Sequence, residues 1–270
     1  LDISSNIKEA SKRFYLQNSK VKAMFIQYDT SESIREGWGY KGSDEDIDQN
    51  SKLINIIFNK PFKKKIPEKY KPIQKKYENI CGNGFDIISS QFSVHYYFKD
   101  EMTLRGYLQN ISENCKKGGY FIGTCYDGKK IFNYFKENDV EKLEYKEDTG
   151  KLVYSIEKKY DIENFDYNPD DDRNMLGNVV SIYMETIGQE LEEYLVNFDY
   201  FSQIMSENGF TPVTPTNIPP KYSNLFRNDY FESDGLGSFE SVISKIPEID
   251  QSDNEFGKYY SEARSMNDEK

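Results

Sequence analysis

Residues Phe85 to Phe98, FDIISSQFSVHYYF, decide how this chain is read. Phe85, Ile87 and Ile88 form an apolar, β-branched run bounded by the turn-forming Cys81-Gly-Asn-Gly84, the pattern of a strand buried on both faces of a parallel sheet. Polar groups crowd its carboxyl end, where open α/β sheets bind ligands, so Gln91, Phe92, His95 and Tyr96 are where a substrate is met. His95 is the sole histidine of the chain. A lone histidine is more often a satisfied core or rim group than a catalyst, and the cluster carries more weight than any one member.

Downstream, Asp100 caps a predicted helix with Leu104, Leu108, Ile111 and Cys115 inward. Lys116 and Lys117 suit its C-terminal dipole, and Gly118-Gly119 end it. Tyr120 to Cys125 is the next strand. Strand, helix, strand in this order implies a right-handed crossover and a parallel sheet. Asp127-Gly128 opens a further helix with Ile131, Phe132 and Phe135 inward. The period then changes to alternation, so Lys151 to Tyr160 and Asn178 to Ile187 read as an antiparallel pair, joined by an acidic loop, beside the sheet. Leu191, Tyr194, Leu195, Phe198, Phe201 and Met205 mark an amphipathic helix ended by Asn208-Gly209, with Glu192 and Glu193 complementing its N-terminus. A short strand at Phe210 to Val213 and a modest helix at Phe239 to Ile246 follow.

Upstream, Ser4 or Ser5 caps a helix to about Leu16, and Val21 to Tyr28 is a second apolar strand. Asp2 and Asp29 each stand where a strand gives way to a capped turn. In dinucleotide-type folds an acidic residue there accepts from both ribose hydroxyls, and simple N-capping explains each equally well. From 33 to 84 the pattern loosens into a surface excursion, with one helix expected around Ser51 to Asn59 and an irregular Lys-rich segment from Lys60 to Lys76. Those lysines can touch RNA phosphates, although a solvated charged face is the simpler reading.

Composition bounds the function. With 46 acidic against 35 basic residues and a formal charge of -11, broad attraction to a nucleic-acid backbone is disfavoured, so any RNA must be gripped locally. Cys81, Cys115 and Cys125 lack CxxC pairing and support neither a zinc site nor a disulfide framework, so no metal is expected. No apolar run approaches the ~20 residues of a membrane span. An intracellular protein without a membrane partner is expected.

Taken together, Phe85-Asp-Ile, Ser90-Gln-Phe92, His95-Tyr96, Gly118-Gly-Tyr-Phe-Ile-Gly-Thr124 and Glu193-Tyr-Leu-Val196 resemble mRNA cap (guanine-N7) methyltransferases, most of all the methyltransferase part of capping enzymes from large DNA viruses. The resemblance runs from Asp2 to about Phe210. It implies a class I S-adenosylmethionine-dependent methyltransferase fold, a Rossmann-like α/β sheet, forming a single partial domain over 1 to 270 with the antiparallel insertion at about 151 to 187. By position it implies that Asp2 binds the ribose of S-adenosylmethionine, Asp29 its adenine edge and Gln91 the neighbourhood of its methionine. Phe92, His95, Tyr96 and Glu193 line the cap guanine pocket, with no acid or base among them. The implied substrate is a capped RNA 5′ end. Other capping domains or a stimulatory subunit are the implied partners, and the host cytoplasm, the virion or, for a cellular protein, the nucleus is the implied location. A non-catalytic methyltransferase-fold module that binds RNA or stimulates a partner is the rival reading. The family's glycine-rich cofactor loop belongs upstream of Asp2 and its last strand after Lys270, so the chain is expected to be a fragment that binds S-adenosylmethionine poorly.

Overall fold

The computed structural model describes residues 1, 3–17, 21–62, 65–214 and 217. The chain divides into Leu1–Ile204 and Met205–Lys270. Asp2 and the helix expected at Phe239 to Ile246 lie outside the described residues.

The first unit is mixed α/β. Strand β1 (Phe85–Gln91) runs parallel to β2 (Cys115–Thr124), and helix α4 (Glu101–Asn114) makes the crossover. A 3-10 helix, Val94–Lys99, fills the space between β1 and α4. Asp100 caps α4 as read from the sequence, its carboxylate accepting from Thr103 N at 2.8 Å. The helix ends at Asn114, before Lys116 and Lys117 of its expected last turn and the Gly118-Gly119 expected to end it. Asn114 Nδ2 donates back to Asn110 O at 2.8 Å, and Cys115 pairs with Phe85 as the first residue of β2, so Lys116 and Lys117 belong to the strand.

The parallel strand is less buried than its composition predicts. Among the described residues β1 pairs with β2 alone, and Phe85 and Ile87 are 41% and 57% exposed. A strand needs neighbours on both edges and cover on both faces to be enclosed, and among the described residues β1 has one neighbour. Val21 to Tyr28 likewise is not a strand. Gln27 and Tyr28 each carry a β-bridge, Tyr28 with Tyr40, but among the described residues no continuous ladder runs along the segment.

Helix α1 (Ile7–Leu16) matches the span of the expected helix, though its N-cap is Asn6 with no side-chain capping bond rather than Ser4 or Ser5, and it buries none of its residues. The excursion is more ordered than its composition suggests. Ser43 and Asp46 form a reciprocal capping box, so the acidic run that looks like loop is the first turn of α2 (Asp44–Ile57). The Lys-rich segment contains a 3-10 turn, Glu68–Tyr70, and α3 (Lys71–Tyr77). Tyr70 and Tyr77 anchor it in a core built from Ile26, Tyr28, Ile54 and Ile56. Burial of these aromatic rings outweighs the weak helix signal of the lysines.

Helix α5 (Gly128–Asn138) starts at the Asp127 cap as predicted and buries Phe132 and Phe135. The antiparallel part is a four-stranded meander: β3 (Lys142–Lys146), β4 (Leu152–Lys158), β5 (Val179–Met184) and β6 (Gln189–Tyr194). The β4 and β5 pairing follows the alternation in the sequence; the outer strands were not expected. Residues 191 to 194, read as the start of a helix, are strand because Leu191 pairs with Ile182 and Glu193 with Val180. Helix α6 (Phe198–Glu207) begins only after Asn197, whose Oδ1 accepts from Tyr200 N at 3.0 Å. Phe201 packs edge-on to Phe98 and Phe121, tying α6 to the 3-10 helix and β2. In the second unit the last turn of α6 closes with Gly209 N donating to Ser206 O at 2.9 Å, and Phe210 to Val213 forms no strand.

Candidate active site

The turn after β1 makes the site. Phe92 sits at φ +48, a left-handed backbone conformation that a bulky residue rarely adopts, and its N–H donates to Thr124 O at 2.9 Å and Thr124 Oγ1 at 3.1 Å. That strained turn leaves the phenyl ring 57% exposed at the sheet's carboxyl end. The Ser90 and Ser93 hydroxyls, 2.8 Å apart, brace the same turn. The 3-10 helix then buries His95 and keeps Tyr96 at the rim.

Strand β6 delivers Glu193 to these side chains. Alternation along β6 separates Glu193 from Glu190 and Glu192, sending it to the face shared with Leu191. Glu193 is 6% exposed and His95 2%. Tyr96 Oη donates to Glu193 Oε1 at 3.4 Å, and His95 Nε2 stands 3.2 Å from Glu193 Oε2. The His95 contact lacks hydrogen-bond geometry. Among the described residues, Glu193 Oε2 and both ring nitrogens of His95 are buried without a hydrogen-bonding partner. Buried polar atoms left unpaired are costly, and Glu193 Oε2 and His95 Nε2, side by side, are groups that a polar ligand can satisfy.

Burial sets the protonation states. It pushes the Glu193 carboxyl up to about 7, with the Tyr96 hydrogen bond pulling weakly the other way. It pushes His95 down to about 4, so the imidazole is neutral at physiological pH and the pair is not an ion pair. Tyr96 is raised to about 12 by burial and by the Glu193 charge, and its hydroxyl remains a donor.

Tyr126, which the sequence reading passed over, completes the aromatic wall. Its ring centroid lies 6.0 Å from that of His95 and 6.4 Å from that of Phe92. Its hydroxyl donates to Met184 Sδ at 3.5 Å. The signal was positional: Tyr126 follows the carboxyl end of β2 as Phe92 follows that of β1.

Gln91 and Asp29 lie beside this cluster and do not touch Glu193. Gln91 is held at both ends of its amide, accepting from Thr124 Oγ1 and donating to Ser89 Oγ, each at 3.0 Å. Asp29 Oδ1 accepts from Ser31 N at 3.1 Å and Ser31 Oγ at 2.6 Å, so the capping role left open by the sequence is occupied. Its second oxygen faces Lys41 Nζ at 3.4 Å. Burial disfavours the Asp29 charge, but the two Ser31 hydrogen bonds and Lys41 outweigh it and hold the carboxyl below its usual range. A hydrogen bond between the Thr30 and Tyr97 hydroxyls ties this loop to the 3-10 helix carrying His95 and Tyr96.

A family model for the mRNA (guanine-N(7))-methyltransferase domain matches residues 40–230, more than half of the chain. The chain belongs to that family. Gln91, Phe92, His95, Tyr96, Tyr126 and Glu193 fall inside the matched residues, and Asp29 precedes them. The chain is 28% identical over 174 residues to a probable mRNA-capping enzyme of Acanthamoeba polyphaga mimivirus, covering 62% of this chain and 14% of that protein. It is 27% identical over 154 residues to an mRNA cap guanine-N(7) methyltransferase of Candida albicans, covering 53% and 31%. With the enzyme of the same name from Meyerozyma guilliermondii it shares 28% identity over 239 residues, covering 84% and 38%. The chain thus spans well under half the length of these relatives. Cap N7 methyltransferase membership implies use of S-adenosylmethionine. Asp29 fits that cofactor, since it stays ionised with one oxygen held only by a 3.4 Å lysine contact, and Gln91 stands at the carboxyl end of β1.

Proposed function

We propose that the chain is the catalytic domain of an mRNA cap guanine-N7 methyltransferase, transferring a methyl group from S-adenosylmethionine to N7 of the cap guanine of GpppRNA. The observation that carries this reading is the buried Glu193 carboxylate with His95 and Tyr96 gathered at it. Ionised Glu193 can accept from both N1–H and the N2 amino group of guanine, a pair of donors that adenine lacks. His95, neutral and with unpaired nitrogens, supplies a donor to the same ring edge. Phe92 and Tyr96 offer aromatic faces, each worth ~1–3 kcal/mol for a stacked base.

Guanine N7 carries a lone pair and no proton, so the transfer calls for no general base. The cofactor supplies an electrophilic methyl on a sulfonium. Transfer of that methyl to N7 would leave a positive charge on the purine. Glu193 stabilises that charge, and the rest of the site's work is placement, which can contribute ~7–11 kcal/mol. Gln91 and Asp29 are assigned to the methionine and adenine ends of the cofactor, and Asp2 to its ribose. Other capping activities, in the same polypeptide or in a second subunit, are the proposed partners.

Glu193→Ala tests the reading. Calorimetry is expected to show loss of GpppG binding with S-adenosylhomocysteine binding retained, and methyl transfer to capped RNA should fall with it. Unchanged GpppG affinity would remove Glu193 from the guanine site. Because only the ionised carboxylate accepts from both N–H groups, GpppG affinity should rise with pH through about 7 in the wild type. A flat profile from pH 6 to 8 would contradict the assignment.

A further inference from the structure

Trp38 is the only tryptophan in the chain, and nothing in the guanine pocket uses it. Its indole is 69% exposed, with no aromatic or hydrogen-bonding partner among the described residues. The loop that carries it is nevertheless tightly built. Tyr28, fully buried, donates its hydroxyl to Ser33 O at 2.7 Å and accepts from Gly39 N at 2.9 Å. Gly37 N donates to Ser33 O at 2.9 Å, and Gly37 takes φ +77 to make the bend. Gly39 O accepts from Asp29 N at 2.7 Å. A Cβ at Gly39 would lie 2.3 Å from Asp29 O and 2.5 Å from the Tyr28 ring, so the backbone approach requires glycine. The Tyr28 and Asp29 contacts fasten the loop to the segment bearing Asp29.

A large apolar ring left in water on a backbone that cannot relax is pre-organised for a flat ligand, because little entropy remains to be lost on binding. Gly39, next to Trp38, accepts from Asp29 N, and the second oxygen of the Asp29 carboxylate is held only by Lys41 at 3.4 Å. We propose that Trp38 is the stacking surface for the adenine ring of S-adenosylmethionine, with Asp29 accepting from the exocyclic amine of the same ring. This rests on the assignment of Asp29 to the adenine edge and adds the face that an amine contact alone does not provide. Lys41, 3.4 Å from Asp29 Oδ2, shifts toward solvent when the amine takes that oxygen.

A single tryptophan makes the test direct. The chain is titrated with S-adenosylhomocysteine, adenosine and methionine, following indole fluorescence and, in parallel, heat by calorimetry. S-Adenosylhomocysteine and adenosine are expected to change the emission saturably, with the calorimetric Kd, and methionine to leave it unchanged. Trp38→Ala should weaken S-adenosylhomocysteine about tenfold while melting like the wild type, and Trp38→Phe should recover most of the loss. Calorimetric binding with unaltered emission, or equal affinity in Trp38→Ala, overturns the stacking role and leaves the Asp29 and Gln91 assignment standing. Failure of Trp38→Phe to bind better than Trp38→Ala does the same. Absence of any heat with S-adenosylhomocysteine, both in this chain and in a longer polypeptide that carries the segment upstream of Asp2, overturns the cofactor assignment and the stacking role together.

Discussion

Glu193 and His95 titrate in opposite senses, and their contest is visible in stability. Glu193 keeps its proton to about 7 in the fold, whereas an unfolded glutamate releases it near ~4.3. Between those values the folded state binds more protons, so this group makes stability fall as pH rises. His95 stays neutral down to about 4, whereas an unfolded histidine takes up a proton below ~6.5. Across that window the unfolded state binds more protons, so His95 makes stability fall as pH drops. The two effects oppose each other in mildly acid solution, and above pH 7 only the Glu193 deficit remains, on the order of 3 kcal/mol. Glu193→Gln, which keeps the shape of the neutral acid, should therefore raise urea resistance at pH 8 by roughly 3 kcal/mol and at pH 5 by only about a third of that. Equal gains at the two pH values would show that Glu193 ionises normally. The sequence marked His95 as a candidate, but only folding makes it neutral and gives it Glu193 as a neighbour. Resemblance named Glu193, whereas its local pattern gave it a bland place at a helix terminus.

Helix α4 is the element on which the Asp29 loop hangs. Asn110, buried, donates Nδ2 to Thr30 O and Glu32 O at 2.8 Å each and accepts from Ile34 N at 2.9 Å. One turn earlier, Gly106 has no space for a side chain, since a Cβ there would lie 1.7 Å from Ser31 O. Gly106→Ala should force helix and loop apart, costing about 1–3 kcal/mol by thermal melting and weakening S-adenosylhomocysteine binding more than GpppG binding. Normal melting with normal affinity would place the loop elsewhere in solution. Neither residue stood out in the sequence, where Gly106 is only a weak spot in a helical pattern and Asn110 an ordinary polar position. What was legible shared one property: agreement between local periodicity and caps. Asp100 and Asp127 announced α4 and α5, and alternation announced β4 and β5. Where two periods fit the same residues, tertiary pairing decided. Leu191, Tyr194, Leu195 and Phe198 satisfy helical spacing, yet the register with β5 draws the first two into β6. The apolar run of β1 likewise signalled a strand but not its exposure, which depends on neighbours the local sequence does not specify.

At the scale of the molecule, a net charge of -11 leaves no broad field to attract a nucleic-acid backbone, so RNA must be held by local contacts. Among the described residues no helix is long and apolar enough to cross a membrane. Helix α4 has one more consequence. Its cap, Asp100, immediately follows the residues that gather at Glu193, and Asn110 grips the loop proposed to hold the adenine. Ten residues of α-helix separate these two points by ~15 Å, and helical rise is among the least adjustable lengths in a protein. The helix is thus a gauge bar between donor and acceptor. In a reaction driven by placement, a residue inserted into it would lengthen the bar by ~1.5 Å and turn one end by ~100° relative to the other, misaligning methyl and nitrogen without touching either binding site.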